Sequence, residues 1–154
     1  MTEARQVVAR NRRARFEYEI LDTIEAGIAL LGPEVKSLRA GRANLSEGYA
    51  AIRRGEVFLI GVHISPYEQA GRTNPDPRRE RKLLLHRSEI ARLDGQVAQR
   101  GHTLVPLELY FLQGRAKILL AVARGKRRYD KRETIKRREQ EREMQRAVRT
   151  GRRR

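Results

Sequence analysis

The strongest constraint on the fold of this chain is a regular alternation of side chains between residues 16 and 31. Apolar side chains occupy the even positions, with Asp22 as the exception, and the opposite face carries Glu17, Glu19, Thr23 and Glu25. A period of two is typical of a β-strand with one face in a core and the other in water. We therefore predict one long strand over residues 16–31, with Phe16 among its core-facing residues.

Two short helices are indicated by their boundary residues. Gly32-Pro33 begins the first, because proline fits the first helical position, where its missing N–H has no helical partner, and Gly41 ends it. Ser88 is an expected N-cap for a second helix that continues to Arg100. The side chains expected to face the core are Val35, Leu38, Ile90, Leu93 and Val97.

The remaining strands are predicted in pairs around glycine-containing turns. Residues 48–53 and 56–64 flank one turn, and residues 103–112 and 115–123 flank another, so each pair is expected to form a hairpin. Between them, three prolines in residues 65–81 indicate an irregular loop, which a short strand or turn follows at 82–86.

These elements predict a mainly β protein, built as a small OB-like antiparallel β-barrel with two or three flanking helices. The barrel domain is expected to cover residues 1–124, of which 1–15 form a basic N-terminal arm. Residues 125–154 are expected to form a basic tail. It offers few apolar side chains for packing, so we expect it to be disordered in the free protein and to become helical on a partner.

The charge of the chain is concentrated in three segments. The formal net charge is +16. The tail holds 14 basic and 5 acidic residues, and the arm holds five basic and one acidic residue. Residues 72–87 hold six basic and two acidic residues, and the rest of the chain is close to neutral. A neutral body with basic extensions is typical of a nucleic-acid-binding module and not of an evenly charged surface.

Several classes of function are excluded or disfavoured by the composition. The absence of cysteine excludes disulfides, thiolate metal sites and cysteine nucleophiles, and His63, His86 and His102 lack metal-ligand spacing. We expect no metal, no cofactor and no catalytic residue, because exposed strand acids explain the carboxylates better than acid–base chemistry. No apolar run is long enough for a membrane span and no signal peptide is visible, so a cytoplasmic location without membrane contact is expected.

Several separated segments resemble one family, the SsrA-binding proteins. They are NRRARFEYEI (11–20), EAGIAL (25–30), GPEVKSLRAGRANL (32–45), ISPYE (64–68), RKLLLH (81–86) and RGKRRYDKRETIKRR (124–138). The resemblance runs from Asn11 to about Arg138, and the segments occur in the right order. It implies an OB-like barrel and a monomeric, non-enzymatic protein.

The function implied by this resemblance is RNA binding in trans-translation, the rescue of stalled ribosomes. Such a protein binds the tRNA-like domain of transfer-messenger RNA (tmRNA, or SsrA RNA) and delivers it to ribosomes that hold incomplete peptides. The resemblance places RNA-binding roles on Asn11, Arg12, Arg13, Glu25, Glu34, Lys36, Ser37, Arg39, Arg42, Lys82, Leu84, His86, Lys117, Gly125 and Lys126.

A second RNA partner is implied for the tail. In this family the tail is thought to occupy the empty mRNA path of the small subunit, near the decoding centre and 16S rRNA. The residues that the resemblance places there are Arg127, Arg128, Tyr129, Asp130, Lys131 and Arg132.

Physical reasoning leaves alternatives for the individual side chains. Lys36, Arg39 and Arg42 are three apart, so on a short helix they gather on one side, either for phosphates or as a solvated face. Glu25 could accept a hydrogen bond from a guanine or cytosine amino group, orient an arginine, or be an ordinary exposed acid. Leu84 could contact bases or pack in the core.

A second function remains open at this stage. An OB-like ribosomal or ribosome-assembly protein that binds rRNA permanently would show the same barrel and basic tail. A small nuclease is a more distant alternative.

Overall fold

A computed structural model describes residues 4–125 and Arg142, and this part of the chain contains nine strands, three α-helices and one 3₁₀ helix. The strands are β1 (Gln6–Arg10), β2 (Tyr18–Ile28), β3 (Ala43–Asn44), β4 (Tyr49–Arg53), β5 (Glu56–Ile60), β6 (His63–Ile64), β7 (Arg81–Leu84), β8 (His102–Leu112) and β9 (Arg115–Gly125). The α-helices are α1 (Arg12–Glu17), α2 (Gly32–Arg39) and α3 (Arg87–Val97), and the 3₁₀ helix covers Glu68–Thr73.

Hydrogen bonding closes most of the strands into a barrel. Seven strands follow the order β1-β8-β4-β5-β7-β2-β9, and β8 pairs in addition with β9, which closes the six strands from β8 to β9 into a ring. β1 lies outside that ring, on the edge of β8 that β4 leaves free, and all pairings are antiparallel. The predicted mainly β fold with an OB-like antiparallel barrel is confirmed.

The interior of the ring is filled by aliphatic side chains from every wall. Leu59 of β5, Leu109 of β8, and Ile118 and Leu120 of β9 are fully buried, and Leu38 of α2 and Leu93 of α3 close the core from outside the sheet. Each such side chain contributes roughly 1.5–3 kcal/mol by leaving water.

The long alternating segment is a strand for most of its length, but its first residues are helical. β2 begins at Tyr18, and its even positions face inward as predicted. The prediction that Phe16 faces the core is wrong, because Phe16 lies on α1 with 63% of its surface exposed. The Asn11 side chain accepts a hydrogen bond from the Ala14 N–H and starts this helix, a local effect that alternation cannot reveal.

Both predicted hairpins are present, and each closes through two residues with positive φ. The first turn has φ of 51° at Arg54 and 76° at Gly55, and the second has 52° at Gln113 and 74° at Gly114. Two positive φ values in succession match the right-handed twist of paired strands. β5 ends at Ile60, which is earlier than the predicted end at residue 64.

The two predicted helices are confirmed with small changes at their ends. α2 has Pro33 in its first turn and is followed by Gly41 with φ of 74°. α3 begins earlier than predicted, since His86 and not Ser88 is the N-cap, and Glu89 accepts a hydrogen bond from the His86 N–H at 2.9 Å. α3 also explains Asp22, whose carboxylate accepts a hydrogen bond from Gln96.

The basic N-terminal arm contributes to the fold instead of lying apart from it. Its residues 6–10 form β1 on β8, and α1 begins at Arg12. At the other end, β9 continues to Gly125. The predicted tail, residues 125–154, lies outside the described residues except for Gly125 and Arg142, so the domain boundary at residue 124 stays a prediction.

Candidate nucleic-acid interface

Four residues from four neighbouring strands form a row across the outer face of the barrel. Leu84 of β7 pairs with Gly27 of β2, Gly27 pairs on its other side with Lys117 of β9, and Lys117 pairs with Tyr110 of β8. Directly paired residues point to the same side of a sheet. We call Leu84, Gly27, Lys117 and Tyr110 the transverse row.

The transverse row brings an apolar and a cationic side chain together on the surface. Leu84 is 53% exposed, so the alternative that it packs in the core is wrong. Lys117 is half-buried beyond Gly27, and a Cβ built on Gly27 would lie 3.2 Å from the Leu84 Cβ. The Leu84 side chain therefore packs directly over Gly27, where any larger residue would push it away.

Glu25 borders the row and is held by a neutral donor. It lies two residues before Gly27 on the same face of β2, and its carboxylate accepts a hydrogen bond from the Tyr110 hydroxyl at 2.5 Å. Burial raises the pKa of Tyr110 above its ordinary value of 10.0, and the hydrogen bond to Glu25 raises it further. The phenol therefore stays protonated and remains a donor at neutral pH.

Arginines of the N-terminal arm cover the far end of the row. The Arg5 guanidinium lies 4.5 Å from the centre of the Tyr110 ring. Arg5 and Arg10 each approach Glu108 at 3.8 Å, on the strand that carries Tyr110. These cations give this edge of the barrel a positive rim.

Helix α2 carries two exposed cations that rest on aromatic rings. Lys36 lies 5.3 Å from the centre of the Tyr67 ring, and Arg39 lies 4.9 Å from that of Phe111. Arg42 follows the helix and is exposed as well. Stacking on a ring limits the freedom of a long side chain while its charge still faces water, an arrangement suited to phosphates.

The other two predicted residues of α2 are buried. Glu34 is 3% exposed, and its carboxylate accepts hydrogen bonds from Arg81 at 2.5 Å, from Arg79 at 2.5 Å and from the Leu31 N–H at 2.9 Å. Burial alone would raise the pKa of Glu34, but these hydrogen bonds hold it below its ordinary value. Ser37 is 1% exposed. Glu34 and Ser37 therefore lie beneath the surface that the cations of α2 form.

Asn11 is also internal, while the arginines next to it are not. Asn11 is 5% exposed, and its amide donates to the Leu45 and Pro106 carbonyls at 3.2 and 2.9 Å. Arg12 and Arg13 are exposed on α1, and Arg13 binds Glu17 at 2.7 Å. Direct contact of the Asn11 side chain with RNA is incompatible with this burial; the side chain instead fixes the start of α1.

The remaining predicted residues lie at different places around the barrel. Lys82 of β7 is exposed and paired with Glu56 at 3.1 Å, and His86 is exposed at the start of α3. Gly125 ends β9 opposite Tyr18. Outside the described residues lie Lys126, Arg127, Arg128, Tyr129, Asp130, Lys131 and Arg132.

Sequence reasoning missed several residues that organise this surface. Tyr110 is fully buried, and nothing in the sequence indicated a role for it, because a tyrosine in an apolar strand is ordinary core composition. The sequence did contain an indication for Arg81. It lies two residues before the core residue Leu83, and therefore on the same side of β7. A charged residue at an inward position indicates a buried ion pair.

The described residues show neither a cluster of metal ligands nor a helix that could span a membrane. Across residues 4–125 and Arg142, no group of three or more histidine, aspartate or glutamate side chains is placed to hold a metal ion. In the same residues, no helix has the length and apolar character to cross a membrane.

Comparison with known proteins gives a consistent family. The SsrA-binding protein of Gloeothece citriformis is 61% identical over 144 residues, which cover 93% of each chain. Those of Thermobifida fusca and Acaryochloris marina are 60% and 54% identical, over 94% and 98% of this chain and 90% and 99% of theirs.

A solved structure is also similar. It is described as "tmRNA-SmpB: a journey to the center of the bacterial ribosome", is 56% identical in sequence, and superposes with a TM-score of 0.66 over 77% of this chain and 83% of its own. The family model for the SmpB protein matches residues 8–150. With a barrel of this kind and a match over almost its whole length, this chain belongs to the SmpB protein family.

Proposed function

We propose that this protein binds the tRNA-like domain of tmRNA and delivers it to stalled ribosomes for trans-translation. Family membership is the observation that carries the proposal. Relatives 54–61% identical are SsrA-binding proteins, and a similar solved structure is described as tmRNA-SmpB in the bacterial ribosome. The protein acts as an RNA-binding adaptor without chemistry of its own, in the cytoplasm, and as a monomer.

The transverse row and Glu25 are the proposed centre of the contact with tmRNA. Folded RNA presents unstacked loop bases beside phosphates, so a reader of its shape needs an apolar surface next to a cation. Leu84 offers the apolar surface and Lys117 the cation. A carboxylate is repelled by phosphates, so Glu25 serves to accept a hydrogen bond from a base amino group or a 2′-hydroxyl.

Cations around the row supply phosphate contacts in this proposal. Those on α2, α1 and β7 are exposed in the described structure, and the end of β9 leads to further ones. The proposed cations are Arg12, Arg13, Lys36, Arg39, Arg42, Lys82 and Lys126, and His86 and the backbone of Gly125 are proposed as uncharged RNA contacts. The buried residues Asn11, Glu34 and Ser37 act by holding α1 and α2 in place.

The basic tail is proposed to serve a different RNA. Its 14 basic and 5 acidic residues suit the empty mRNA path of the small subunit, where phosphates of 16S rRNA line the channel. Arg127, Arg128, Tyr129, Asp130, Lys131 and Arg132 would lie near the decoding centre.

Binding of the isolated tRNA-like domain tests the first contact. Leu84→Ser and Lys117→Ala should each weaken binding about tenfold, since one lost stacking or phosphate contact is worth roughly 1–3 kcal/mol. The matched controls are Leu21→Ser, another exposed strand leucine, and Arg100→Ala, an exposed cation after α3. Equal losses in variants and controls would contradict the proposed surface.

Salt dependence separates the two kinds of contact in the same assay. Lys117→Ala should reduce the slope of log affinity against log salt by about one unit, because one phosphate contact disappears. Leu84→Ser should leave that slope unchanged. The reverse pattern would contradict the roles given to the two side chains.

Truncation after Gly125 tests the division of labour between barrel and tail. The shortened protein should bind the tRNA-like domain within about threefold of the full chain, because the row and the α2 cations remain. It should not support peptide tagging on stalled ribosomes in a reconstituted translation system. Loss of both activities together would place the tail in the tmRNA site.

The RNA that co-purifies with the full chain tests the function as a whole. Sub-stoichiometric tmRNA is expected in the purified complex. A constant presence of the protein in salt-washed ribosomal subunits, with rRNA as the only bound RNA, would favour the ribosomal-protein alternative.

A further inference from the structure

Tyr110 has a hydrogen-bonding role that core packing does not explain. Its surface is fully buried, yet its hydroxyl reaches the exposed side chain of Glu25 at 2.5 Å. The two residues lie on β8 and β2, which are separated in the barrel by β9. The bond therefore crosses over a strand and fixes an acidic side chain from the solvent side of the sheet.

Tyr110 is paired through its backbone with a strand on each side, and a cation covers its ring. Val7 of β1 pairs with Tyr110 on one side and Lys117 of β9 pairs with it on the other. The Arg5 guanidinium lies over the ring at 4.5 Å and is drawn to Glu108 of the same strand. The phenol thus has a fixed position before any partner arrives.

The carboxylate of Glu25 is oriented by this phenol and by no cation. Among the described residues, no ion pair includes Glu25, and only one of its two oxygens accepts a hydrogen bond from a side chain. A glutamate has three rotatable side-chain bonds, which are freely populated on an open strand. One fixed oxygen leaves the second pointing in a limited range of directions.

We propose that Tyr110 is a positioning residue for RNA recognition: its hydroxyl holds one oxygen of Glu25 so that the other accepts a hydrogen bond from the bound RNA. The N-terminal segment acts on the same site through Tyr110, because β1 pairs with the backbone of Tyr110 and Arg5 covers its ring. The gain is preorganisation, since the rotamer entropy of Glu25 is lost before binding and not during it. A neutral donor also leaves the carboxylate its full charge as an acceptor.

The contact predicts a measurable property of the free protein. In the full chain, NMR couplings of the Glu25 side chain should report one dominant rotamer, and Tyr110→Phe should average them. Phenylalanine keeps the ring, its burial and the Arg5 contact, so the fold should persist. Unchanged couplings in Tyr110→Phe would overturn the proposal whether or not the protein binds tmRNA.

A double-mutant cycle tests the consequence for binding, which rests on the proposed function. Tyr110→Phe should weaken binding of the tRNA-like domain about tenfold in the natural chain and less than twofold in a Glu25→Ala background. Tyr49→Phe, at an exposed tyrosine of β4, is the matched control and should bind as the natural chain does. Equal effects of Tyr110→Phe in both backgrounds would overturn the positioning role.

Two further readouts keep the outcomes distinct. Glu25→Asp keeps the charge but retracts the carboxylate from the phenol, so it should bind RNA as weakly as Tyr110→Phe. It replaces Tyr110→Phe as the test if that variant fails to fold. Binding equal to that of the natural chain would overturn the proposal. The salt slope should not change in either variant, because no phosphate contact is lost. Failure of the natural chain to bind the RNA would instead refute the proposed function.

Discussion

The buried ion pair beneath α2 permits a quantitative prediction about stability. Glu34 and Arg81 are 3% and 0% exposed, and the Glu34 carboxylate accepts three hydrogen bonds that join α2, the loop before β7 and β7 itself. Glu34→Gln keeps the shape of the side chain but removes its charge. The amide NH₂ of glutamine would also face an arginine donor, which it cannot satisfy.

The expected loss follows from what remains around Arg81 in that variant. Its guanidinium still donates to the Val62 and Pro77 carbonyls at 2.8 and 3.0 Å, but its charge is buried without a counter-charge. Breaking a buried pair by removing one partner costs about 3–5 kcal/mol. Because the two carbonyl contacts still stabilise the guanidinium, we expect Glu34→Gln to lose about 3 kcal/mol, the lower end of that range. This loss corresponds to a fall in Tm of roughly 10 °C for a domain of this size.

Urea unfolding at neutral pH, followed by circular dichroism, measures this loss. Glu80→Gln is the matched control, because Glu80 pairs with Arg53 at 3.0 Å on the surface and should cost less than about 1 kcal/mol. A free energy of unfolding for Glu34→Gln within 1 kcal/mol of the natural chain would refute the reasoning.

Acid unfolding tests how the contribution of this ion pair to stability changes with pH. The folded-state pKa of Glu34 lies below its ordinary value of 4.5, so the pair contributes its full stability above about pH 4.5 and loses it as pH falls through the folded-state pKa. Glu34→Gln should therefore lose less stability than the natural chain over that acidic range. An unchanged pH profile would contradict the assignment.

Two further predictions concern a helix cap and two glycines. Asn11→Ala should cost about 2–3 kcal/mol, because it removes the cap of α1 and two buried hydrogen bonds, whereas Arg12→Ala should change the unfolding free energy by less than about 0.5 kcal/mol. Gly61→Ala should cost more than about 1 kcal/mol, because φ is 76° and the new Cβ would lie 2.7 Å from the Glu47 carbonyl oxygen. Gly95→Ala, at an open helical position, should instead stabilise the fold by about 0.5–1 kcal/mol. Thermal melts of all four variants check both; a harmless Asn11→Ala or Gly61→Ala would show that the fold relaxes around these sites.

Local patterns were sufficient for most of the secondary structure. Alternation, turn glycines and Pro33 predicted β2, both hairpins and α2, because each depends on neighbours in sequence. The errors at Phe16 and Ser88 both concern where a helix begins: the Asn11 cap starts α1 before Phe16, and His86 with Glu89 starts α3 before Ser88. Both helix starts depend on a hydrogen bond between residues three apart, which hydrophobic alternation does not report.

The candidate interface was predictable only as a set of residue types. Lys36, Arg39 and Arg42 proved exposed, as a phosphate-binding face requires, and Leu84 is exposed despite its apolar sequence context. Asn11, Glu34 and Ser37 look equally polar in the sequence but are buried. Burial depends on which distant strands close the barrel, which no local pattern encodes.

The sequence by itself determined the strand periodicity, the basic extensions and the class of partner, because side-chain polarity and charge are properties of single residues and their spacing. Only the tertiary structure decided that Leu84, Gly27, Lys117 and Tyr110 form one row, since their relation depends on register between β7, β2, β9 and β8. It also decided that Tyr110 reaches Glu25 across 85 residues. Such contacts arise from closure of the ring, where pairings remote in sequence fix which side chains become neighbours.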